Sequence, residues 1–97
     1  MRAKIDPLEV WYDEGLQAWR HNVQCDYLTS PMSSKSVSIS FVNGEPVCAD
    51  VVAHGSWIDY NLKDTQDRQW FTELYGELLK EAKNIVTQDI KKKNLRR

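Results

Sequence analysis

Ninety-seven residues, 41% of them hydrophobic and 28% charged, suffice for one modest hydrophobic core and no second domain, and no run approaches the about 20 apolar residues of a membrane span. The net charge of −1 is unevenly spread, since residues 1–90 hold eight Lys or Arg against all fourteen Asp or Glu, giving −6, while residues 91–97 supply +5. An acidic body of this kind argues against a dedicated nucleic-acid binder, whose cations line a face of the fold itself.

The stretch from Met1 to Pro7 lacks the apolar segment of a secretory signal. Cys25 and Cys48 lie far apart and form no CxxC pair, so they read as reduced thiols of a cytoplasmic protein. Asp6, Pro7 and Glu9 have the order of a cap, a first helical residue and a third residue that reaches back, which predicts a helix starting at Pro7. Leu8, Trp11, Tyr12, Leu16 and Trp19 then recur at spacings of three and four as its buried face, with Gly15 marking a close approach. Residues 23–28 fit either a continuation of that helix or a strand. The segment from Thr29 to Ser36 is rich in Ser and contains Pro31, and it reads as a loop.

Val37, Ile39 and Phe41 alternate with Ser and lead into Asn43-Gly44, a hairpin signal. A three-residue loop of Val42, Asn43 and Gly44 is expected, because it pairs Ile39 with Val47 and Val37 with Ala49. The second strand runs from Val47 to Ala53. A third, from Trp57 to Leu62, turns Ile58, Tyr60 and Leu62 inward and Trp57, Asp59 and Asn61 outward beside Asp50.

Asp64 is a strong cap for a second helix from Thr65 to about Lys93, whose apolar stripe includes Phe71, Leu74, Leu78, Leu79, Ala82, Val86 and Ile90. At 1.5 Å per residue it would be roughly 43 Å long and would outrun a sheet of short strands. The expected fold is therefore α+β: a helix, a three-stranded antiparallel meander and a long C-terminal helix, with both helices on one sheet face. Residues 1–90 form the domain and 91–97 a basic tail.

The order helix, three strands, helix resembles the double-stranded-RNA-binding domain. That family carries a basic cluster at the start of its last helix, where this chain has Asp64-Thr65-Gln66-Asp67-Arg68, so none of the family's RNA-contacting positions carries over. His21, Cys25, Cys48 and His54 lack the close Cys pairs of structural zinc sites. Cys48 and His54 are six residues apart on one strand, too far for a nucleophile and its base. Neither a metal, a cofactor nor catalysis is expected.

What these residues suggest is a small non-catalytic accessory protein that binds another protein, as an inhibitor, immunity protein, adaptor or phage-type antagonist. Trp57, Asp59, Asp50 and Asn61 form the expected contact face, suited to a basic partner. The projecting helix stripe suggests a homodimer. The alternative is a nucleic-acid-associated protein using Lys91, Lys92, Lys93, Arg96 and Arg97.

Overall fold

A computed structural model describes residues 3–30 and 33–93. Six antiparallel strands precede one helix: β1 (Ala3–Ile5), β2 (Glu9–Asp13), β3 (Ala18–Ser30), β4 (Ser33–Val42), β5 (Glu45–Ala53), β6 (Ser56–Asn61) and α1 (Thr65–Lys93). The sheet order is β1-β3-β4-β5-β6, with β2 also paired to β3. The expected N-terminal helix and three-stranded meander are thus both replaced, and the likeness to the double-stranded-RNA-binding domain falls with them.

The N-terminal segment is an edge strand broken once. Ile5 lies opposite Cys25 and Glu9 opposite Asn22, so three residues on the edge span two on β3. Pro7 sits in this break, where its missing N–H removes nothing from the ladder. Asp6 donates its own N–H to the Gln24 carbonyl at 2.9 Å. Residues 14–17 form the next turn, closed by the Leu16 N–H on Asp13 Oδ1 (3.1 Å) and by Gln17 at a φ of 51°. Gly15 therefore belongs to a hairpin rather than a helix face.

The periodicity of three and four in this segment arises from two strands read through their turn. Tyr12 and Trp19 pair across the ladder and meet edge to face at 5.3 Å, while Trp11 lies opposite Arg20, whose guanidinium sits 5.5 Å from the indole. Such aromatic cross-strand contacts stabilise a hairpin by tenths of a kcal/mol to about 1 kcal/mol each. The predicted Ser-rich loop is corrected as well, since Thr29 and Ser30 belong to β3 and Ser33 to Ser36 belong to β4, while Pro31 and Met32 lie outside the described residues.

The β4–β5 hairpin corrects the expected register. Asn43 and Gly44, at φ of 50° and 84°, form a two-residue turn between Val42 and Glu45. Phe41 then faces Pro46, but Ser40 faces Cys48, leaving Val47 as an extra bulged residue. Ile39 consequently lies opposite Ala49 and Val37 opposite Val51. The bulge restores a common apolar face while keeping the tight turn.

That inner face, with Val23, Cys25, Val37, Ile39, Phe41, Ala49 and Val51, packs against Phe71, Leu78, Leu79, Ala82 and Val86 of α1. Asp64 caps the helix by accepting the Asp67 N–H at 3.0 Å, as expected. The helix is not straight, however: Tyr75 is non-helical at φ −135° and ψ 28°, next to Gly76. The kink shifts the phase of the stripe, so that Leu74 is exposed while Leu78 and Leu79 are buried. It also keeps the second half on the sheet, with Ile90 packed against the core and Asp89 bonded to His21. The apolar stripe does not outrun the sheet.

Candidate interaction surface

The outer sheet face is polar by sequence. Ser36, Ser38 and Ser40 of β4 turn outward, and their hydroxyls donate to Asp26 Oδ1 (2.7 Å) and to Asn22 Oδ1 (2.9 and 3.3 Å). On β5 the same face carries Cys48, Asp50 and Val52, opposite Asn61, Asp59 and Trp57 of β6. Trp57 is 71% exposed, the most exposed of the large hydrophobic residues among those described. It has Val52, itself exposed, directly across the ladder.

Asp50 and Asp59 face each other across the same ladder. The hydrogen bond to Asp59, then partial burial and the neighbouring charge, raise the Asp50 carboxyl above its ordinary value, and a hydrogen bond involving Trp57 opposes the rise. Two carboxyls and an indole are thereby held together on one outward patch. Asn61 shares this face by register, but its Oδ1 accepts the Lys63 N–H (3.1 Å) and its own N–H donates to Asp67 Oδ2 (2.9 Å), which fixes the turn into α1. The structure thus groups three of the four expected contact residues and gives the fourth a turn-forming role.

Around the edge of β6, Ile58, Tyr60, Trp70 and Leu74 line a cleft of about 390 Å³ bordered by Asp59, Asp67 and Glu73. Ile58 had been expected in the core, but the helix leaves it 50% exposed, beside Trp70 at 52%. This cleft escaped the sequence because Leu74 falls on the helix stripe until Tyr75 breaks its phase.

Lys91, Lys92 and Lys93 form the last helical turn. Successive residues project about 100° apart around a helix, so they share no single face. Lys93 Nζ is held by Asp89 Oδ1 at 3.0 Å. Arg96 and Arg97 lie outside the described residues.

His21, on β3, is fully buried. Its Nε2 bonds Asp89 Oδ2 at 2.9 Å, while Nδ1 has no partner. Burial pushes the Asp89 carboxyl up, but hydrogen bonds from Lys93 and His21 outweigh it and hold the carboxyl below its ordinary value. No substrate could reach this histidine, so the network acts as a tie between β3 and the end of α1. Cys25 is buried with a thiol raised by burial, whereas Cys48 lies on the opposite sheet face. Among the described residues no group of three or more His, Cys, Asp or Glu is placed to hold a metal ion, and no helix is long and apolar enough to cross a membrane. No protein-family model, no curated protein and no solved structure matches this chain.

Proposed function

We propose that this chain is a small non-catalytic accessory protein that acts by binding another protein, in the manner of an inhibitor, immunity protein or adaptor. The observation that carries this reading is Trp57, 71% exposed beside exposed Val52 and flanked by Asp50 and Asp59 on a mostly polar sheet face. An exposed indole within a polar rim has the make-up of an interface centre, and the paired carboxyls favour a basic partner. Dimerisation through the C-terminal helix stripe draws no support from the packing, because Val86 and Ile90 are already against the core. The test is affinity capture from cells that naturally express the chain, comparing wild type with Trp57→Ala. A protein retained in stoichiometric amount by wild type alone is expected; identical sets of retained proteins overturn the reading.

The second reading, nucleic-acid association through the terminal cations, is favoured by the exposure of Lys91 and Lys92. It requires binding to duplex DNA or RNA that weakens steeply with salt and vanishes on deletion of residues 91–97.

A further inference from the structure

Strand β6 pairs on one side only, with β5. The hydrogen bonds at its C-terminal end fix which way its backbone groups point. The Asn61 N–H is turned away from β5 to reach Asp67, and its carbonyl accepts the Asp64 N–H, whereas the next residue, Leu62, donates back to Val47. Antiparallel ladders alternate residue by residue, so Trp57 and Asp59 turn their N–H and C=O groups to the same open side as Asn61. The turn and helix satisfy Asn61 alone. Nothing among the described residues pairs with the edge at Trp57 and Asp59.

The side chains on either side of this edge differ in character. Toward the helix lies the apolar cleft of Ile58, Trp70 and Leu74. Toward the outer face lie Asp59 and Asp50, with Trp57 beside them. A strand added here would set alternate side chains into these two environments, apolar on one side and cationic on the other. A second copy of this chain is a poor occupant, because it would bring its own Asp50 and Asp59 onto a face that already carries two adjacent carboxyls.

We infer that β6 is a docking edge that accepts an extended segment of a partner protein with alternating basic and apolar residues, extending the sheet by one strand. This rests on the protein-binding reading above and narrows it to one partner chemistry and one geometry.

The probe is the peptide acetyl-Lys-Val-Lys-Val-Lys-Val-Lys-amide, compared with its Glu-for-Lys analogue and with a version N-methylated at alternate residues to remove the edge donors. Each is titrated against the ¹⁵N-labelled full chain, with amide hydrogen exchange followed in parallel. The lysine peptide is expected to bind and to slow exchange at Trp57 and Asp59 by about tenfold or more. The glutamate and N-methylated peptides are expected to bind at least about tenfold more weakly, and Asp59→Lys is expected to reverse the preference between lysine and glutamate. Absence of lysine-peptide binding at millimolar concentration overturns the inference, as does equal binding of the lysine and glutamate peptides. Binding that shifts the Trp57 indole signal yet leaves both amides unprotected also overturns strand addition, while leaving the protein-binding face intact. Conversely, edge protection together with unchanged capture by Trp57→Ala separates a correct edge from an incorrect choice of anchor.

Discussion

At the residue scale, one buried histidine shows how much a polar side chain depends on its partner. His21 occupies an inner position opposite Phe41, where an apolar residue would be expected, and it is tolerated because Asp89 accepts its hydrogen bond and Lys93 in turn holds Asp89. Asp89 is a depressed carboxyl, so the stability it contributes is fully present above its unfolded value near 3.8 and is lost as the pH falls through the lower folded value. Urea-unfolding midpoints of the wild type should therefore decline on acidification below pH ~4, and Asp89→Asn should remove that component while lowering stability at neutral pH by about 1–3 kcal/mol. An unchanged acid limb in the variant would show that other carboxyls govern it. None of this was legible in the sequence, since His21 and Asp89 are 68 residues apart and no local pattern links them.

At the element scale, the turns decided more than the propensities. Asn43-Gly44 was a visible hairpin signal, yet the position of the bulge was not, because register depends on which residues the opposite layer needs to cover. Gly44 is required twice over: its φ is +84°, and an added Cβ would lie 3.1 Å from Ile90 Cδ1. Gly44→Ala should lower stability by about 1–2 kcal/mol, read as a shift in the urea midpoint with unchanged slope. A variant as stable as wild type would mean that the turn and helix end relax together at little cost. The same turn also steadies β3, since the Asn43 N–H donates to the Trp19 carbonyl at 2.9 Å. The N-terminal segment misled for a related reason: a hairpin whose strands are joined by four residues can imitate helical spacing, and Pro7 suits an edge strand as well as a helix start.

At the scale of the whole molecule, the described basic residues Lys91, Lys92 and Lys93 are exposed at the end of α1. They follow the last core residues, and among the described residues their one side-chain ion pair is Lys93–Asp89, with Lys93 half-exposed. Deleting residues 91–97 should lower unfolding stability by less than ~1 kcal/mol, whereas a larger loss in thermal or urea unfolding would give the tail a structural role. The exposed apolar residues lie instead at the sheet edge and at the N-terminal hairpin, where Trp11, Tyr12 and Leu16 are also exposed.

By itself the sequence determined the C-terminal helix and its Asp64 cap, the alternation of β4 and the outward placement of Trp57 with Asp50 and Asp59. These follow from local periodicity and from groups that are neighbours in the chain or across one hairpin. Only the tertiary structure decided that Ala3–Ile5, Glu9–Asp13 and Ala18–Ser30 form strands, that α1 bends at Tyr75, and that β6 presents an open edge beside an apolar cleft. Those outcomes rest on which distant surfaces cover one another, and a hydrophobic pattern compatible with two local structures is settled by that burial rather than by its own spacing.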